Sequence, residues 1–113
     1  PPSAAGNWGW CYTDNVGFDL LGYARDYASL RRGDWNSVKV FLAAQNAYGW
    51  KMKYYVPSSR SWVTRGFNML DVAQWQARRN GYRDVRNWGV YYRNFNNPSS
   101  WRGAYWMSGA GCW

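Results

Sequence analysis

Polar and apolar positions alternate most cleanly in Trp50-Lys51-Met52-Lys53-Tyr54-Tyr55-Val56. The even positions are apolar, and the odd ones carry Lys51, Lys53 and Tyr55. A period of two predicts a strand with one buried face. Pro57-Ser58-Ser59 stops it, and Ser61–Arg65 reads as a short strand beyond the stop. A second strand signal lies near the end of the chain. The runs Trp88–Phe95 and Trp101–Met107 flank the turn formers Asn96-Asn97-Pro98-Ser99-Ser100. That arrangement predicts a β-hairpin.

Elsewhere the spacing is helical. Val16, Leu20, Tyr23, Tyr27 and Leu30 recur at intervals of three and four, one face of a helix, after the candidate cap Thr13-Asp14. Gly33 is its stop, with Arg31 and Arg32 in the last turn, where cations complement the dipole. Asp34 caps a second predicted helix, with Trp35, Val38, Leu42 and Gln45 on one face and Gly49 as the stop. Val38–Leu42 also fits a strand, and Ala43-Ala44-Gln45 favour the helix. Asn68 opens a third helix, with Asp71 three residues on in the manner of a capping box. Leu70, Ala73 and Ala77 share its face, and Arg78-Arg79-Asn80-Gly81 closes it. The order predicts the α+β class: about three helices packed on a small antiparallel sheet. No linker composition divides the chain, so a single domain is expected over 1–113, with 1–12 as an extended arm.

Composition changes what the core is made of. The 113 residues include no Ile, Glu or His, and Leu and Val together number 13. Ten Trp and ten Tyr take their place. Each such ring buries roughly 150–250 Å², so a handful can substitute for a branched-aliphatic core. The net charge of +8 comes from 11 Arg and three Lys against six Asp. A pI near 9.8 favours anionic partners: acidic glycans, cell-envelope polymers, nucleic acid or anionic lipid. No stretch approaches the roughly 18 apolar residues of a spanning helix, so no transmembrane segment is expected.

Cys11 and Cys112 sit near the two ends, and neither belongs to a CxxC motif. A disulfide between them would close nearly the whole chain. On the chain-entropy model a loop of about 100 residues contributes up to about 4.7 kcal/mol. Such a bridge implies an oxidising compartment. A chain that starts at Pro1 without a charged and apolar leader matches a processed protein. The expected address is secreted or extracellular.

Chemistry is scarce. Without His or Glu, general acid–base schemes lack their usual players. No Ser–His or Cys–His pair, HExxH, P-loop or GxGxxG occurs. Asp14 with Asp19, or Asp26 with Asp34, could in principle serve glycoside hydrolysis, but Asp14, Asp34 and Asp71 have capping roles. No catalytic residue, metal set or cofactor is expected.

Binding is the better fit. Sorting the strands by parity turns Lys51, Lys53 and Tyr55, then Tyr91, Arg93 and Phe95, then Arg102 and Trp106 outward. Rings and cations would interleave on one sheet face, with Lys53, Tyr55, Tyr91, Arg93, Arg102 and Trp106 as ligand-binding residues. A glycan or anionic polymer suits that face, because sugar rings stack on aromatic faces while cations hold anions. The alternatives are a secreted antimicrobial toxin or enzyme inhibitor and a nucleic-acid binder. An inhibitor would reach a target protein through Pro57–Arg60 or Asn96–Ser100. Arg32-Gly33-Asp34 is a tripeptide of the kind integrins read, and it falls where a helix stop meets a helix cap.

Overall fold

A computed structural model describes residues 12–13, 16–44, 49–81 and 85–107, with side chains over 16–44, 49–81 and 89–104. The elements are β1 (Tyr12–Thr13), α1 (Leu20–Ser29), a 3-10 turn (Trp35–Ser37), β2 (Lys39–Leu42), β3 (Trp50–Val56), β4 (Ser61–Gly66), α2 (Met69–Arg79), β5 (Val85–Tyr91), a second 3-10 turn (Pro98–Ser100) and β6 (Arg102–Met107). The class is α+β, with two helices and two antiparallel sheets among the described residues, ordered β2-β3-β4 and β1-β6-β5. They belong to two units, Asp19–Met69 and Pro1–Phe18 with Leu70–Trp113.

In the first unit, β3 follows its alternation. Trp50, Met52 and Tyr54 are buried, while Lys51, Lys53 and Tyr55 are half-buried. The helix α1 covers the buried face. Its Tyr27 ring lies 6.4 Å from Tyr54, its Tyr23 ring 5.5 Å from Phe67, and Leu20, Ala24 and Ala28 are buried. The two alanines let the helix sit close. The helix starts later than its apolar spacing suggests, because Asp19 is the cap: its Oδ1 accepts from Gly22 N–H at 2.9 Å. Val16 precedes the helix and Leu30 is exposed. Asp14 lies outside the described residues.

The end of α1 also differs from its signal. Gly33 N–H donates to Ala28 O at 2.8 Å and Arg32 N–H to Ser29 O at 3.2 Å, the paired bonds of a Schellman motif. The left-handed position is Arg32, at φ 62°. Gly33 is needed for a different reason: a Cβ there would fall 2.6 Å from the Tyr54 ring. Asp34 then caps the 3-10 turn, its Oδ1 accepting from Asn36 N–H at 3.0 Å. The Arg-Gly-Asp tripeptide is thus a helix stop followed by a cap.

The second predicted helix, Asp34–Gly49, does not form over its described part. It is the 3-10 turn followed by β2, which pairs Val40 with Met52 and Leu42 with Trp50. Burying Val40 and Leu42 on the β3 ladder outweighs the helix preference of the alanines after it. The expected single sheet is likewise two.

In the second unit, α2 starts directly after Asn68, where its cap signal lies, and buries Val72, Ala73, Gln76 and Ala77. Gln76 Nε2 donates to Gly17 O at 3.2 Å, which satisfies a side chain that is otherwise out of place in a core. The helix stops at Gly81, which takes φ 91° with open space around it. The predicted hairpin is present as β5 and β6, with Tyr91 opposite Arg102 and Val90 opposite Gly103. Its connection is longer than Asn96–Ser100 and is organised by Trp101. That indole is 2% exposed and stacks 4.3 Å from Tyr92, and its Nε1 donates to Phe95 O at 3.1 Å. Cys11, Cys112 and nearly all of the expected 1–12 arm lie outside the described residues.

Candidate binding face

Antiparallel partners share a sheet face, so the pairings of β2-β3-β4 define what lies opposite α1. Tyr55 faces Trp62 in one row, Lys39, Lys53 and Thr64 make the next, and Phe41, Lys51 and Gly66 the third. All three lysines of the chain are on this face, and none of its register positions is acidic. Trp62 is 51% exposed and Phe41 39%, too much for core residues of this size.

The rings and ammonium groups are set close together. Tyr55 and Trp62 have centroids 5.4 Å apart with planes tilted by 58°. Lys53 Nζ lies 4.9 Å from the Trp62 centroid, a cation–π contact. Lys39 and Lys53 are directly opposite on neighbouring strands. Such a like-charge pair is unfavourable, and no carboxylate at a neighbouring register position relieves it.

Two devices hold the face in place. Ser37 fixes Tyr55: its hydroxyl accepts from Tyr55 N–H at 2.8 Å and donates to Asp34 O at 2.6 Å. Asp34 N–H donates to Tyr55 O at 2.7 Å, so both backbone groups of Tyr55 are engaged by the 3-10 turn. The β3–β4 turn fixes Trp62. Ser59 N–H donates to Val56 O at 3.3 Å and Arg60 N–H to Pro57 O at 3.2 Å. Arg60 then takes φ 51°, which returns the chain into register at Ser61 opposite Val56.

The six residues expected to bind ligand separate. Lys53 and Tyr55 are on this face. Tyr91 and Arg102 are cross-strand partners in β1-β6-β5, in the other unit. Arg93 is exposed just beyond β5, and Trp106 is in β6 with its side chain outside the described set. The expected face assigned these residues to one sheet; among the described residues their strands divide between two. Trp62, Lys39, Phe41 and Thr64 take the places beside Lys53 and Tyr55. The alternation Lys39-Val40-Phe41-Leu42 and the lone Trp62 in Ser61–Arg65 were the available signals.

Among the described residues no group of three His, Cys, Asp or Glu side chains is placed to hold a metal, and no helix is long and apolar enough to cross a membrane. No protein-family model matches the chain, and no curated protein or solved structure matches it.

Proposed function

We propose that this protein is a secreted binding module for a polysaccharide or anionic cell-envelope polymer, and that the polymer lies on the outer face of β2-β3-β4. The observation that carries the reading is Trp62: half exposed, flanked by the Tyr55 ring at 5.4 Å and the Lys53 ammonium at 4.9 Å, on a face without acid. An indole held that way offers a flat surface to the C–H face of a sugar ring, and the lysines supply attraction to acidic groups.

Titrating the protein with a panel of soluble glycans while following tryptophan fluorescence tests the reading. At least one glycan should change the emission, and Trp62→Ala should remove the response while the circular dichroism stays the same. Unchanged emission of the parent across the panel contradicts it. The extracellular address rests on Cys11 and Cys112. Thiol titration in denaturant should find no free sulfhydryl per chain; two would count against that address.

A second reading draws on the turn Pro57–Arg60. All four of its residues are exposed, and it carries a left-handed arginine. Such a projecting turn suits an inhibitor that docks on a target protein. Inhibition of a protease or glycosidase that is lost in Arg60→Ala but kept in Trp62→Ala would favour it.

A further inference from the structure

We infer that the polymer is an acidic polysaccharide, with carboxylate or sulfate groups on its sugar rings, and that Lys39 and Lys53 hold one such group between them while a neighbouring ring stacks on Trp62. This rests on the glycan-binding reading above and narrows its ligand.

The charge pattern is the first argument. Lys39 and Lys53 oppose each other across β2 and β3. Cβ atoms of such a pair are about 4.5–5.5 Å apart, so two flexible ammonium groups converge easily on one anion. Without an anion the two charges repel each other. Lys51 adds a third charge one row along, and the exposed Thr64 ends the Lys39–Lys53 row. No register position of the face carries an acid that would repel a carboxylate or sulfate.

The second argument is what four of the arginines do instead. The Arg25 guanidinium lies 3.7 Å over Trp35, Arg31 lies 3.4 Å over Tyr27, and Arg79 lies 4.3 Å over Trp75. Arg102 donates to the carbonyls of Ser99 and Trp101. These guanidiniums stack or bond within the protein, as planar weakly hydrated groups do. The lysines, strongly hydrated point charges on flexible stems, are gathered on the outer face of β2-β3-β4, where Lys53 also lies 4.9 Å from the Trp62 centroid.

The third argument is the geometry of the rings. The ring row and the lysine row are neighbours, about 6.8 Å apart along the strands, and the Lys53 ammonium reaches to 4.9 Å from the Trp62 centroid. A sugar on Trp62 therefore sets an acidic substituent of itself or its neighbour over Lys39 and Lys53. Tyr55 and Trp62 are tilted by 58°, so they present one stacking plane. Single-stranded nucleic acid is held by successive bases on successive rings, which this row does not offer.

Equilibrium binding of the full chain to dextran, dextran sulfate, polygalacturonate, polyphosphate and oligothymidylate tests the inference. Dextran sulfate or polygalacturonate should bind at least about tenfold more tightly than dextran, and the tighter of the two names the acidic group. Lys39→Gln and Lys53→Gln should each weaken that binding about fivefold or more and flatten its salt dependence, since fewer counterions are released. Lys39→Gln should not lower the melting temperature, because it removes a repulsion. Trp62→Ala should weaken acidic glycans and leave polyphosphate unchanged. Dextran bound as tightly as dextran sulfate, and lost in Trp62→Ala, would overturn the acid requirement while the glycan reading stands. Polyphosphate or oligothymidylate bound as tightly as the acidic glycans would overturn the inference by showing that no sugar is read. Binding of none of the five removes both the inference and the reading beneath it.

Discussion

Around β6 and its preceding loop, rings close over a buried indole and Arg102 is spent on carbonyls; on the outer face of β2-β3-β4 the contacts of Tyr55 and Lys53 with Trp62 leave that indole half exposed. Tyr92, exposed at 48%, still stacks 4.3 Å from Trp101, and Phe95 meets the same indole edge-on at 5.4 Å. Arg102, opposite Tyr91, spends its Nη1 on the carbonyls of Ser99 and Trp101 at 2.6 and 2.9 Å. On the other sheet Lys39 lies opposite Lys53, and Trp62, in contact with Tyr55 and Lys53, is still half open to solvent. The difference teaches that a list of aromatics and cations does not mark a binding surface. What marks it is how much of those groups the fold leaves open to solvent.

The sharpest contrast is between the two tryptophans. Trp101→Ala should destabilise the protein by about 3–5 kcal/mol, since it empties a closed site and frees the loop that its indole organises. A denaturant melt checks this. Trp62→Ala should change stability by about 0.5 kcal/mol or less and still abolish the fluorescence response to glycan. Equal stability losses would collapse the distinction between the two sheets. Next comes Ser37→Ala, which leaves Tyr55 N–H without its acceptor and should cost about 1–3 kcal/mol. Polymer binding should weaken with it, because Tyr55 loses its anchor; unchanged stability would show that the 3-10 turn does not hold the face.

Charge reversal probes the same contrast more gently. Lys39→Glu turns a repulsive cross-strand pair into an attractive one and should add about 0.2–1 kcal/mol of stability while eliminating binding to acidic polymer. A variant that is both stabilised and still binds would remove Lys39 from the site. The smallest effect expected is at the turn. A left-handed conformation costs an L-residue about 1–2 kcal/mol, and glycine carries an entropic penalty of roughly 0.5–1 kcal/mol. Arg60→Gly should therefore gain about 0.5 kcal/mol net, read as a slightly higher melting temperature.

Much of the fold was legible where one signal dominates. The strict alternation of Trp50–Val56, the cap at Asn68 with the stop at Gly81, and the paired runs around Asn96–Ser100 all correspond to observed elements. Signals that compete were harder to read. Lys39–Leu42 is a strand because Val40 and Leu42 find Met52 and Trp50 across the ladder, a tertiary fact that local propensity does not contain. At the end of α1 the glycine marked the stop but not the left-handed residue. It is Gly33 that yields to the Tyr54 ring, and Arg32 that takes the positive φ.

The same limit applied to the site. Parity placed Lys51, Lys53 and Tyr55 together on one face of their strand, as the pairings do. Parity says which residues share a face of one strand; it is silent on which strands are neighbours. Parity alone therefore groups Tyr91, Arg93, Arg102 and Trp106 with a sheet that β5 and β6 do not enter. Parity does not mark Trp62 or Lys39, since one sits in a short run without clear alternation and the other in a stretch whose following alanines favour helix.

Backbone amide shifts during titration with dextran sulfate and polygalacturonate measure the location of the ligand directly. The account predicts that the largest changes fall on Lys39, Phe41, Lys51, Lys53, Tyr55, Trp62 and Thr64, with Tyr91 and Arg102 nearly still. Largest changes on Tyr91, Arg93 and Arg102, with the lysine face unmoved, would contradict it.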